Sequence, residues 1–210
     1  MKKKIYLTSL FIFLTITGII LSCNKISLSF KPNIILIMLD AARADHFSCY
    51  GYPKNTTPYI DAISRSGALF ENHFSQGTHT IASIPKIFFS RYLSLDILQE
   101  DAWIWRIKRE QPWDIFRRFD NKQILLTNIL SSHSYSTAIF SDHGYFYNEN
   151  NKNFFVNQFD KYFVKNFEIN EFISEITSFI KNNKRFFIYW HILLPHEPYA
   201  ANIENKDFFD

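Results

Sequence analysis

Three short stretches of this chain combine carboxylate, hydroxyl and imidazole side chains. The first is Asp40, followed by Arg43-Ala44-Asp45-His46. The second is Gly77-Thr78-His79-Thr80, and the third pairs His191 with His196. A carboxylate joined by imidazoles suits a divalent transition metal such as zinc, whereas a site rich in carboxylates suits calcium. A hydroxyl at a helix N-terminus is placed to act as a nucleophile: free N–H groups and the helix dipole stabilise its oxyanion, and a bound metal lowers its pKa further. Each stretch alone also has a plain structural role. An Asp after a strand caps a loop, a Thr before a helix is an N-cap, and a His inside an apolar strand is a hydrogen-bonded core residue. They form a site only if the fold brings them to one place.

The elements that must do so are legible in the hydrophobic pattern. Residues 33–39 (NIILIML) form a continuous aliphatic run, the pattern of a strand buried on both faces, and it stops at Asp40. In open α/β sheets, functional groups collect where strands end. Gly51, Pro53 and Asn55 mark the stretch 45–57 as a loop. Thr57 as N-cap and Pro58 in the first turn predict a helix to Ser66, closed by Gly67. A short strand is expected over 68–74, and a helix over 80–89 puts Thr80 at its start. Further on, 122–132 is expected to be helical, 136–140 a strand and 148–157 a loop. Ile169, Phe172, Ile173, Ile176, Phe179 and Ile180 have the spacing of an amphipathic helix. Residues 185–194 (RFFIYWHILL) read as a second buried strand, ending just before Pro195 and His196. The alternation predicts an α/β layered fold, with a mostly parallel sheet and helices on both faces.

Composition narrows the class. The chain has 210 residues, enough for one sizeable domain, and 47% are hydrophobic, which excludes a disordered chain. A net charge of +3 gives no case for a nucleic-acid partner. Lys2, Lys3 and Lys4 precede an apolar run from Ile5 to Leu21, the layout of an export signal. The run ends in Ile20-Leu21-Ser22-Cys23, which resembles the lipobox of bacterial lipoproteins, in which the Cys is lipidated and becomes the new N-terminus. An uncleaved signal anchor and a simple secreted form are the alternatives. All three export residue 24 onward, so the expected location is the cell envelope, membrane-anchored and extracytoplasmic. The expected organisation is a signal over 1–23, a tether over 24–31 and a domain over 32–210. A lipidated Cys23 leaves Cys49 without a disulfide partner. The segment 103–119, rich in Trp and Arg, reads either as an interfacial helix or as an ordinary surface helix.

Residues 32–92 resemble the opening of the sulfatase family of the alkaline phosphatase superfamily. The resemblance is carried by Ile37-Met38-Leu39-Asp40-Ala41-Ala42-Arg43-Ala44-Asp45-His46, Ser48-Cys49-Tyr50-Gly51-Tyr52 and Thr57-Pro58-Tyr59-Ile60-Asp61. It implies that Asp40 binds the catalytic metal and that Thr80, with Ser83, Arg91 and Tyr92 following, stands in the nucleophile register. The superfamily's phosphoethanolamine transferases have a Gly-Thr-x-Thr-x-x-Ser-x-Pro signature, matched by Gly77, Thr78, Thr80, Ser83 and Pro85. There the second Thr is both nucleophile and metal ligand, which again selects Thr80. His191 and His196, with Pro198 and Tyr199, are similar to a family segment whose histidines face the phosphate or sulfate oxygens. The resemblance therefore implies an alkaline-phosphatase-like fold and a metal-dependent hydrolase or transferase. Its substrate would be a sulfate or phosphate ester on a glycan or lipid headgroup.

The departures from the family pattern are informative. Sulfatases proper use a formylglycine made from Cys or Ser in a Cys/Ser-x-Pro-x-Arg motif. Thr80 cannot be converted, and Ala82 sits where Pro is expected; the shifted register Ser83-Ile84-Pro85 puts Ile87 at the Arg position. A Thr alkoxide suits phosphoryl transfer through a phosphothreonine, so phosphoryl transfer is favoured. Ala41 replaces a second acid, which favours zinc over calcium. Ser141-Asp142-His143-Gly144 matches the family's second metal-binding segment, but it precedes His196 where the family's follows it. It is therefore expected to be a strand-end turn, leaving Asp40 and Thr80 as the chain's metal ligands. The reading that results is an N-terminal portion of a sulfatase-type domain whose C-terminal part is missing. The alternative is a catalytically inactive lipoprotein that only binds.

Overall fold

The computed structural model describes residues 31–75, 77–90, 124–147, 153–166 and 168–196. The signal with Cys23, nearly all of the tether, Arg91 and Tyr92, the segment 103–119, Pro198 and Tyr199, and the C-terminal end lie outside the described residues. Among the described residues, no helix is long and apolar enough to cross a membrane.

Four strands form one parallel sheet among the described residues: β1 (Ile34–Leu39), β2 (Ser136–Ser141), β3 (Lys161–Val164) and β4 (Phe186–Ile192), in the order β1-β4-β2-β3. Among the described residues, four α-helices connect or flank them: α1 (Pro58–Ser66), α2 (Thr80–Phe89), α3 (Leu126–Ser132) and α4 (Ile169–Asn182). Side chains alternate across a strand, so each strand feeds two cores. Ile139, Phe187 and Tyr189 join Ile84, Phe88, Leu125 and Phe155 on one face, the face of α2 and α3. Ala138, Phe140, Phe186 and Ile188 meet Phe172, Ile176 and Phe179 of α4 on the other. The expected layered α/β fold, with helices on both faces of a parallel sheet, is the fold observed.

Aromatic rings fill both layers. Phe88 of α2 makes edge-on contacts with Phe155 (ring centroids 4.7 Å), Tyr189 (5.0 Å), Phe159 (5.9 Å) and Phe187 (6.4 Å). Such geometry aligns the positive ring edge with a negative ring face, beyond the gain from area burial alone. It locks α2 to the centre of the sheet, next to the strand that carries His191.

The differences from the sequence expectation have physical reasons. Residues 68–74 are not a strand: Leu69, Phe70 and Phe74 are exposed, and no strand among the described residues pairs with them. A lone extended segment leaves its backbone groups without a ladder. β3 went unforeseen because it is short and only half-buried, with Lys161 and an exposed Tyr162 in place of an aliphatic run. Among the described strands, β1 carries its aliphatic run at the edge of the sheet. Leu36 and Met38 pack inward, while Ile35 and Ile37 on the opposite face are 48% and 52% exposed among the described residues. Thr57 makes no side-chain cap of α1; its hydroxyl donates to Asp61 and meets Ser48, tying the preceding loop to the helix.

Replacing Phe88 with Ala is expected to destabilise the domain by about 3–5 kcal/mol, the cost of a large aromatic cavity that cannot collapse. Urea unfolding followed by circular dichroism measures it; a loss under about 1 kcal/mol contradicts the hub role.

Candidate metal centre and nucleophile

The site is built by strand parity and register. Asp40 is the first residue past β1, and its N–H donates to Ile192 O at 2.9 Å. Counting in twos from Leu36 and Met38 puts it on the α2 face. The same count puts His191 with Phe187 and Tyr189, and His143 with Ile139 and Ser141. Met38 and Ser141 both pair with His191, so the ends of the three strands are level. Ala41 has φ 56, in the left-handed region, and turns the chain away immediately after Asp40. α2 lies on the same face and presents Thr80 at its N-terminus. Gly77 makes this approach possible: a Cβ there would stand 2.7 Å from the Ala82 Cβ, so a side chain would push the incoming loop off the first turn.

One carboxylate oxygen collects the groups. Asp40 Oδ2 accepts the Thr80 hydroxyl at 2.9 Å and lies 3.0 Å from His191 Nε2 and 3.6 Å from His143 Nε2. His191 and His143 are buried and Asp40 is mostly so. Behind them, the buried Tyr189 hydroxyl sits 2.6 Å from His191 Nδ1, and the Tyr145 N–H donates to His143 Nδ1 at 3.0 Å. Burial pushes the Asp40 carboxyl up. Hydrogen bonds from His191 and Thr80, with the charges of His191 and His143, outweigh it and hold the pKa at about 2. Burial, with the neighbouring His191, lowers His143 to about 4.

Of the residues singled out from sequence, Asp40, Thr80 and His191 converge. His196 lies in the turn after β4, its N–H donating to Leu193 O at 2.7 Å, close enough for its charge to lower the pKa of His143. Asp45 and His46 do not join them; with Arg43 they form an exposed cluster. The expectation that Ser141-Asp142-His143-Gly144 is only a turn needs correction. It does form the turn, with His143 capping a short 3-10 helix (Gly144–Phe146), but it also carries the His143 ring to Asp40. Asp142 Oδ1 accepts the Leu193 N–H at 2.8 Å, fastening the end of β2 to the turn that holds His196. The signal that points to His143 was in the sequence: its even spacing from Ile139, past the end of a strand. Chain order concealed it, because β2 and β4 are neighbours in space and distant in sequence.

A sulfatase family model matches residues 32–209. The chain belongs to the sulfatase family. This is a family of enzymes that act on sulfate or phosphate esters. An ulvan-active sulfatase of Formosa agariphila is 35% identical over 66 residues, 31% of this chain and 13% of that protein. The C-terminal periplasmic domain of EcEptC from Escherichia coli, in complex with Zn, has a TM-score of 0.61 at 17% identity, covering 84% of this chain and 48% of that one. A protein in the alkaline phosphatase superfamily from Vibrio parahaemolyticus has a TM-score of 0.58 at 17% identity, covering 81% and 42%. These likenesses establish an alkaline-phosphatase-like fold. The family member described here spans less than half of the length of each of these solved structures.

Members of the family use divalent metals, and the donor set here fits one. One ligand atom from each of Asp40, His143 and His191 lies within 4.8 Å of the others. A carboxylate with two imidazoles, mostly buried, is a donor set of the transition-metal type.

The pKa shifts set an acid limit on stability. His143 is lowered from 6.5 to about 4 in the fold, so on acidification the unfolded chain takes up the proton first. The stability linked to this ring is fully present above pH 6.5 and is lost as the pH falls towards 4. Asp40 adds a second loss between 3.8 and about 2. Urea midpoints measured with a chelator present at pH 7 and pH 4.5 are expected to fall for the wild type and to fall less for His143→Gln. Equal falls in both proteins contradict a buried, neutral His143.

Proposed function

We propose that this chain carries the nucleophile-bearing part of a metal-dependent ester hydrolase or transferase of the cell envelope, with Thr80 as its nucleophile and phosphoryl groups favoured over sulfuryl groups. The observation that carries the reading is the 2.9 Å hydrogen bond from the Thr80 hydroxyl to Asp40 Oδ2, made at a helix N-terminus beside two imidazoles. Asp40 orients the hydroxyl and accepts its hydrogen. The start of α2 supplies positive potential where charge develops on the Thr80 oxygen. Asp40, His143 and His191 are the residues that would hold the metal. When bound, a divalent ion lowers the pKa of the hydroxyl and polarises the ester oxygens.

The nitrogen-rich donor set supports zinc over calcium, which takes six to eight oxygen ligands. An unmodified Thr supports phosphoryl transfer: attack by the Thr80 oxygen on phosphorus would form a phosphothreonine and release the alcohol, and water or an acceptor alcohol would then take the phosphoryl group. His196, held in the turn after β4, is suited to face an oxygen of the transferred group. The ulvan-active relative supports a glycan ester as one substrate class, and the periplasmic location of the EcEptC domain supports an extracytoplasmic site. A lipid on Cys23 or a signal anchor would hold the domain at the membrane.

Turnover of aryl phosphate and aryl sulfate esters by the full chain, with zinc supplied, is the test. Thr80→Ala is expected to lose at least about a thousandfold in kcat/KM, as for other nucleophile deletions, with zinc binding weakened less. Unchanged turnover in the variant, or aryl sulfate cleaved faster than aryl phosphate by an unmodified Thr80, overturns the mechanism.

A further inference from the structure

One polar side chain outside the metal centre is buried as deeply as the core aromatics. Asn153 is 1% exposed, in a stretch whose polar composition reads as loop. Its Nδ2 donates to Tyr145 O at 3.0 Å and to Tyr147 O at 3.3 Å, and its Oδ1 accepts the Val156 N–H at 3.2 Å. Carbonyls only accept and a backbone N–H only donates, so these partners fix which way the amide points. The amide thus joins two segments of the chain. Its own segment is held by the aromatic layer: Phe155 meets Phe88 of α2 at 4.7 Å and Phe146 at 5.8 Å between ring centroids.

The turn that Asn153 holds is the one that carries His143 to Asp40. That turn closes on itself through the Phe146 N–H to His143 O, at 3.0 Å, and the Tyr147 N–H to Gly144 O, at 3.2 Å. A 3-10 turn of three residues is too short to fix its own place. Tyr145 gives its N–H to His143 Nδ1 at 3.0 Å and its carbonyl to Asn153. One residue therefore links the imidazole to the buried amide. We propose that Asn153 is a positioning residue: its carboxamide fixes the Gly144–Tyr147 turn and, through Tyr145, the direction in which the His143 ring meets Asp40, so that metal affinity depends on a side chain that ligates nothing. The proposal rests on the metal-site reading above and adds to it a residue from another segment. Asn is the residue type that fits. Asp has the same shape but would set a carboxylate against two carbonyls, and Leu has neither donor nor acceptor. A buried carbonyl left unpaired is costly, so without the amide the turn moves to regain partners. Groups that orient a metal-binding histidine matter almost as much as the ligand itself.

The full chain is compared as wild type, Asn153→Leu, Asn153→Ser and Val156→Ala. Leu keeps the volume of Asn and removes its hydrogen bonds; Ser is the milder change, and decides the matter if the Leu variant does not fold. Val156 is fully buried three residues away, so its truncation lowers stability without touching the amide. Two quantities are read. The first, with a chelator present, is amide hydrogen exchange at Tyr145 relative to Ile188 in the core of β4. The second is zinc affinity by calorimetry, under conditions where circular dichroism shows each protein folded. Protection of the Tyr145 amide is expected to fall about tenfold more than that of Ile188 in Asn153→Leu, and less in Asn153→Ser, the scale of one lost hydrogen bond. In Val156→Ala the two amides should fall together. Zinc affinity is expected to drop about tenfold or more in Asn153→Leu and to stay within about twofold of wild type in Val156→Ala. Equal loss of protection at Tyr145 and Ile188 in the Asn153 variants overturns the proposal. So does zinc affinity that is unchanged in them, or weakened as much by Val156→Ala. If wild type binds no zinc, the metal-site reading fails on its own, and the exchange comparison alone decides whether Asn153 holds the turn.

Discussion

Everything at this site converges on one oxygen. Asp40 Oδ2 accepts the Thr80 hydroxyl, meets the His191 ring and faces the His143 ring. A mostly buried carboxylate is costly unless its charge is met by donors, and here the donors more than offset the burial. The same oxygen draws together residues far apart in the chain, one from a helix and three from strand ends. If those elements shifted by one residue, the alternation of side chains would send the groups to opposite faces of the sheet.

The parallel sheet makes the convergence possible. β1, β4 and β2 run in the same direction and finish level, so Asp40, His191 and His143 emerge side by side. The aromatic layer centred on Phe88 then fixes α2 against Tyr189, two residues before His191. Packing of this kind is not generic filler. Ring-edge contacts tolerate little displacement, so the Thr80 hydroxyl is positioned by the same contacts that stabilise the core.

Much of the site was legible in the sequence, for reasons that can be named. An aliphatic run that stops at an acid marks a strand end, which pointed to Asp40. A Gly-Thr-x-Thr segment before an apolar helical stretch pointed to Thr80, and the need for Gly at 77 is a steric fact of that same turn. His191 stood out as a polar residue in an otherwise apolar strand. β3 was not legible, because four half-buried residues with a Lys carry little periodic signal. The strand expected over 68–74 had the right residue types but lacked a neighbour to pair with, and pairing is a property of the fold, not of the segment.

The sequence by itself determined the α/β class, the strand ends, the helix that starts at Thr80 and the residue types able to hold a metal, because hydrophobic period and turn chemistry are local. Only the tertiary structure decided that His143 belongs beside Asp40. The strand order β1-β4-β2 is set by which faces can be buried together, and chain order does not reveal it. Nor could the sequence tell the two histidines apart. That distinction lies in what stands behind each ring, a backbone N–H for one and a tyrosine hydroxyl for the other, and it exists only once the chain has folded.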